Sequence, residues 1–105
     1  MEIIETHVFT RKIKNVLSDN EYRKLQWALV INPEIGALIS GGRGLRKLRW
    51  DIPGKGKRGG LRIIYYWYAQ DEMIYMLFPY KKSEQDDLTD EQLKMLSKYV
   101  KGGVL

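Results

Sequence analysis

The sequence predicts an α+β domain, an N-terminal helical hairpin packed on one face of an antiparallel sheet, with a C-terminal helix. Two capping boxes, Ser18-Asp19-Asn20-Glu21 and Thr89-Asp90-Glu91-Gln92, each precede apolar residues at helical spacing. Between them lie three strand-like stretches, LRKLRWDI, LRIIYYWYA and EMIYMLFPY, separated by glycine-rich or polar turns. At 105 residues the chain is a single domain, 1–105, long enough to bury a core and too short to add a separate cofactor-binding unit.

Taken in order, Glu2 to Val8, centred on Ile3 and Ile4, reads as a short first strand, with His7 a half-exposed packing residue on it. A brief, basic helical stretch follows from Thr10 through Leu17. The second helix, Asp19 to about Asn32, carries Tyr22, Leu25 and Leu29 at helical spacing. Pro33 stops it, because the residue before a proline is pushed out of the helical region. Ser40 to Gly44, SGGRG, is a loop by composition. In the next stretch Leu48, Trp50 and Ile52 alternate with Lys47, Arg49 and Asp51, giving a strand with one wet, mostly cationic face. LRIIYYWYA is apolar or aromatic on both faces apart from Arg62, as in a central strand covered on both sides. Gln70-Asp71 turns the chain into the third strand, completing an antiparallel meander, and the last helix runs to about Lys101 before Gly102-Gly103. With the helical pair on one face of the sheet, the other is expected to be partly open for a site.

Composition narrows the chemistry. There is no cysteine and one histidine, so neither a disulfide scaffold nor a plausible zinc ligand set exists, and no metal or cofactor is expected. No stretch approaches the roughly 20 apolar residues of a membrane span, and Met1-Glu2 opens on an acid. A soluble cytoplasmic protein is expected, with no membrane partner. The net charge is +5, but residues 43 to 82 hold ten Lys/Arg against three Asp/Glu, while residues 1 to 42 balance and residues 83 to 105 are net −2. Concentrating the excess in one block favours nucleic acid or an anionic surface as partner, although a charge run taken alone is more often a solvated face.

The block centres on IPGKGKRGGLRIIYY, Ile52 to Tyr66. Gly54-Lys55-Gly56-Lys57-Arg58-Gly59 formally matches G-x-G-x-x-G, but a dinucleotide site needs a helix after the last glycine, and here a strand follows. A protein-kinase loop does lie between strands, yet that fold needs far more chain. The glycines permit a hairpin loop and close backbone approach. Lys55, Lys57, Arg58 and Arg62, with Arg46, Lys47 and Arg49 from the preceding strand, then form a cationic patch. RNA suits such a patch, since Lys and Arg take phosphates while Tyr65, Tyr66, Tyr68, Tyr75 or Tyr80 offer faces for unpaired bases.

Nearly the whole chain resembles a RelE/HigB-type toxin of a bacterial type II toxin–antitoxin pair. The resemblance rests on INPEIGALISG, GLRKLRW, GKGKRGGLRIIYYW and FPYKKSEQDDLT leading into the last helix. It implies a fold similar to small microbial ribonucleases and an enzyme that enters the ribosomal A site to cut mRNA there, inhibiting translation. It implies a cognate antitoxin, often a helix-turn-helix protein, through which alone the toxin would meet operator DNA. Carried over by position, the family's basic sites fall on Lys55, Lys57, Arg58, Arg62, Tyr80 and Lys82, with Lys81 a near competitor of Lys82.

Cleavage through the RNA's own 2′-OH needs a base, an acid for the leaving 5′-oxygen, and positive charge on the phosphorane between them. Arg62 and Arg58 suit the last role because a guanidinium fork matches phosphate oxygens. Lys55 or Lys57 is the candidate base and Lys82 or Tyr80 the candidate acid; Asp51 and Glu72 would be poor bases among so many cations. Arg46, Lys47, Arg49 and Lys81 are assigned to RNA binding. A non-catalytic RNA- or ribosome-binding module using the same patch is the alternative reading.

Overall fold

The computed structural model describes residues 1–52 and 60–101. The chain runs β1 (Glu2–Glu5), α1 (His7–Lys14), α2 (Asp19–Ile31), β2 (Ala37–Leu38), β3 (Leu45–Trp50), β4 (Leu61–Tyr68), β5 (Met73–Lys81) and α3 (Asp90–Lys101), with a 3-10 turn at Ala69–Asp71. The sheet order is β1-β5-β4-β3-β2. The three central strands form the antiparallel meander that their short connections require, with Leu77 as an extra residue on β5 where the register shifts beside Ile64 and Tyr65.

The α+β class holds, with two corrections. The helical hairpin is not N-terminal: the expected short first strand precedes it, over Glu2–Glu5, and this β1 pairs in parallel with β5, so the sheet is mixed rather than antiparallel. Glu-Ile-Ile-Glu specifies an extended segment but no direction, and only the long return path through the rest of the chain fixes the parallel pairing. β2, two residues long on the sheet edge, was not anticipated because so short a segment leaves no periodicity to read.

Helix starts follow their caps. Thr89 Oγ1 accepts from Gln92 N at 3.1 Å and Gln92 Oε1 accepts from Thr89 N at 3.0 Å, so the second capping box closes in both directions. Ser18 Oγ accepts from Glu21 N, whereas the Glu21 carboxylate pairs with Lys24 at 3.1 Å. The first helix departs from expectation. It begins at His7 rather than Thr10 and ends at Lys14, because Thr6 is its cap: Oγ1 accepts from Phe9 N at 3.0 Å and donates to Leu77 O at 2.8 Å. His7 is therefore an exposed residue on the first turn of α1, not a packing residue on a strand.

Alternation along the strands divides the core. Leu48, Leu61, Ile63, Tyr65, Ile74 and Met76 face α1 and α2, packing with Phe9, Ile13, Leu17, Leu25 and Leu29. Leu45, Ile64, Leu77 and Tyr80 face the other way and are partly roofed by α3 through Leu96, Leu93 and Tyr99. Each fully buried Leu or Ile contributes about 1.5–3 kcal/mol. The second face is thus less open than the sequence suggested, and α3 confines free sheet surface to part of it.

The β1 end is locked to both helices by one carboxylate. Glu5 accepts from Thr10 Oγ1 at 2.6 Å through one oxygen and from the Tyr22 hydroxyl through the other. Burial, and then this bond to Glu5, hold the Tyr22 phenol well above its ordinary pKa. Tyr22→Phe is expected to lower unfolding free energy by about 1.5–3 kcal/mol, the range for a hydrogen bond to a charged group, measured as a fall in the urea midpoint without a change in m.

Candidate functional site

The site is built by strand parity. On β3, Lys47 and Arg49 point to the side of the sheet carrying α3; on β4, Arg62 does the same; on β5, Tyr80 does. Arg62 lies directly between its cross-strand partners Arg49 and Tyr80, and Lys47 lies opposite Ile64 one rung further along. Arg62 is 9% exposed, and among the described residues it has no ion pair; its Nη1 donates only to the carbonyl of Leu61, at 3.4 Å. Two arginines directly opposite on neighbouring strands oppose pairing by about 0.2–1 kcal/mol. A buried guanidinium beside a second one, with no ion pair among the described residues, is a poor arrangement for stability and a good one for accepting an anion.

One carboxylate enters this cationic face. Asp87, on the segment between β5 and α3, accepts from Leu88 N at 2.8 Å, from Lys47 Nζ at 3.4 Å and from the Tyr80 hydroxyl at 3.5 Å. The Leu88 bond first, and then the Lys47 charge, hold its carboxyl below the ordinary carboxylate range. The Tyr80 phenol is pushed up to about 12, by burial first and then by the Asp87 charge, against opposing pulls from Arg62 and Arg49. Tyr80 consequently keeps its proton throughout the neutral range and can donate it. Asp87→Asn removes a negative charge next to the phenol, so Tyr80 is expected to titrate at lower pH than in the wild type. The check is the tyrosinate absorbance difference between each protein and its Tyr80→Phe counterpart; an unchanged or higher midpoint would contradict the assignment.

The other sequence candidates are distributed as follows. Arg46 is turned to the opposite sheet face, opposite Tyr65, where Nη1 donates to Gly36 O at 2.8 Å and Nη2 pairs with Glu34 at 3.4 Å. It does not join Lys47 and Arg49. Lys82 is exposed just past β5, its backbone N–H donating to Gly60 O at 3.0 Å, which ties it to the entry of β4. Lys81 stands opposite Leu61, one position out of phase with Tyr80 and Arg62. Lys55, Lys57 and Arg58 lie outside the described residues. Asp51 is exposed just past β3. Glu72 sits in the β4–β5 turn, about 20 Å from Arg62 at the rise of a β-strand, and is not part of the site.

Among the aromatic candidates, Tyr65 is fully buried on the α2 side, donating to Pro33 O at 2.7 Å and accepting from Gly36 N at 2.9 Å. It is a structural rivet rather than a stacking face. Tyr66 and Tyr75 stack on each other at 6.4 Å beside α3, with Tyr68 6.2 Å from Tyr66.

Two contributors escaped the sequence reading. Asp87 is one of several acids in SEQDDLTDEQ, with no local pattern to single it out. Lys12 of α1 places its ammonium 5.2 Å from the centre of the Phe78 ring, which lies 6.1 Å from the Tyr80 ring, adding a cation at the β5 side of the same face. Among the described residues, no group of three or more His, Asp or Glu is placed to hold a metal ion, and no helix is long and apolar enough to cross a membrane.

The fold and this face define a small α+β protein with a cationic sheet surface. Residues 1–103 match the family model for the RelE toxin of the RelE/RelB toxin–antitoxin system, and the chain belongs to that family. Its members are toxins paired with a cognate antitoxin and are generally endoribonucleases that cleave mRNA.

Proposed function

We propose that this toxin is a ribosome-dependent, metal-independent endoribonuclease, cutting mRNA in the ribosomal A site by attack of the RNA's own 2′-OH. The observation that carries the reading is Arg62, buried, unpaired among the described residues and set between Arg49 and Tyr80. Its fork stabilises the negative charge that builds on the equatorial oxygens of the phosphorane, with Arg49 and Lys47 binding the flanking RNA. Arg58 adds a second guanidinium. Tyr80, protonated at neutral pH, is the favoured acid for the leaving 5′-oxygen and Lys82 its competitor; Lys55 or Lys57 takes the 2′-OH proton.

Such machinery is strong in charge and weak in acid–base groups, which is why a ribosome is required. Holding the mRNA backbone in reactive geometry can supply about 7–11 kcal/mol of the barrier. Binding by the same cations without cleavage is the competing reading. The test is incubation of a defined mRNA with the purified protein, with and without programmed ribosomes, with 5′ ends mapped by primer extension. Cuts confined to ribosome-bound mRNA support the proposal. Ribosome binding by a folded protein that makes no cuts would establish the binding module instead.

A further inference from the structure

Asp87 meets the cationic face through a single oxygen. Its Oδ1 accepts from Leu88 N at 2.8 Å, and the same atom is the acceptor for Lys47 Nζ at 3.4 Å and for the Tyr80 hydroxyl at 3.5 Å. The first bond is tight and the other two lie beyond ordinary hydrogen-bond lengths. Exposure divides the three side chains as well: Asp87 is 68% exposed, Lys47 25%, and Tyr80 is buried. Among the described residues, no other acid pairs with Lys47, Arg49 or Arg62. An anion arriving from solvent therefore finds Lys47 and Tyr80 already engaged by a loosely held carboxylate.

The backbone that carries this carboxylate is pinned. Gln85 Nε2 donates to Asp87 O and to Gln92 Oε1, both at 2.8 Å, so the side chain can turn outward about its own bonds while the start of α3 stays in place. The Tyr80 hydroxyl has only one proton. While that proton is directed at Asp87 it cannot reach a leaving 5′-oxygen, so the contact must break before the phenol acts as an acid.

We propose that Asp87 is the resident anion of a phosphodiester subsite beside Arg62, holding Lys47 and Tyr80 until an RNA phosphate displaces it. The proposal rests on the reading of this face as the mRNA site and adds a residue that sets its affinity. A phosphodiester is the fitting replacement, because its oxygens accept from an ammonium, a guanidinium and a hydroxyl together, whereas the carboxylate engages Lys47 and Tyr80 through one atom. Once expelled, Asp87 touches nothing that reacts, so it weakens RNA binding without slowing the bound complex. It is an intramolecular competitor that disfavours loosely held nucleic acid and yields to mRNA fixed in place on the ribosome.

The experiment is single-turnover cleavage of a defined mRNA on programmed ribosomes, with the protein in excess, read as the half-saturating protein concentration and the saturated rate. Asp87→Asn keeps a side-chain carbonyl for Leu88 N and removes only the charge. It is expected to lower the half-saturating concentration about three- to tenfold and to leave the saturated rate within about twofold, since an exposed ion pair and a repulsion against phosphate are lifted. Asp87→Ala should act in the same direction, and Asp87→Glu, which restores the charge, should bind no more tightly than wild type. Asp86→Asn removes an equal charge from the exposed neighbouring residue and should change either value far less. An unchanged half-saturating concentration in folded Asp87→Asn or Asp87→Ala protein, or an equal fall with Asp86→Asn, overturns the proposal alone. A saturated rate about tenfold lower in Asp87→Asn would make Asp87 a positioning residue for Tyr80 and also overturns it. Absence of cleavage by wild type overturns the ribonuclease reading, and this proposal with it.

Discussion

Arg62→Ala is expected to lower the rate of mRNA cleavage by about 10²–10³-fold, the usual loss when one preorganised donor to a developing oxyanion is removed. The same substitution should leave unfolding free energy within about 1 kcal/mol of wild type. The loss of the packed aliphatic stem is offset by relief of a buried cation that has no ion pair among the described residues, and of its repulsion from Arg49. Arg62→Lys keeps the charge but not the fork and should fall between, roughly tenfold below wild type if one hydrogen bond is lost. Single-turnover cleavage on programmed ribosomes, paired with urea denaturation of each variant, measures both sides. Full activity in a folded Arg62→Ala protein would remove Arg62 from the mechanism.

The largest stability loss is expected at Gly36→Ala, about 2–3 kcal/mol. A Cβ there would lie 2.7 Å from Tyr65 Cε1, 3.0 Å from its hydroxyl and 3.1 Å from the carbonyl carbon of Lys47. None of these neighbours can easily give way. Tyr65 is fully buried and fixed through its hydroxyl to Gly36 N and Pro33 O, and Lys47 belongs to a central strand. Overpacking of this kind costs about 1–3 kcal/mol, and disturbing the bond to Gly36 leaves a buried N–H unpaired. Tyr65→Phe removes both bonds without the clash and should cost a similar amount. Because the two residues touch, the double variant should be less destabilised than the sum of the singles, which a double-mutant cycle in urea reads directly.

How far the sequence revealed this molecule depends on whether each determinant is local. The Thr89-Gln92 box names its own partners within one helical turn, so the start of α3 could be read outright. Thr6 caps α1 just as firmly, but without a Glu or Gln three residues on it leaves no comparable signature. Arg62 was visible as the one charge in an otherwise apolar central strand. Its neighbours follow from parity: Lys47 and Arg49 share its face, and the same alternation places Arg46 with Leu48 and Trp50 on the other. That alternation is present in GLRKLRW, although proximity in sequence alone groups the three cations together. Asp87 reaches Lys47 and Tyr80 only through the course of the chain after β5, and Lys12 reaches Phe78 from a helix distant in sequence. No residue spacing encodes either contact. The direction of β1 is equally hidden, since a four-residue Glu-Ile-Ile-Glu strand pairs in either sense.

The cationic face is assigned one chemical role, stabilising attack by the RNA's own 2′-OH. The most direct measurement is the chemistry of the cut end, using an mRNA on programmed ribosomes with either ribose or 2′-deoxyribose at the mapped cleavage position. Attack by the 2′-OH leaves a 2′,3′-cyclic phosphate, or its opened monophosphate, on the ribose substrate and gives no cleavage of the 2′-deoxy one. A free 3′-hydroxyl, or cleavage that survives the 2′-deoxy substitution, would mean that water attacks the phosphate and would contradict it.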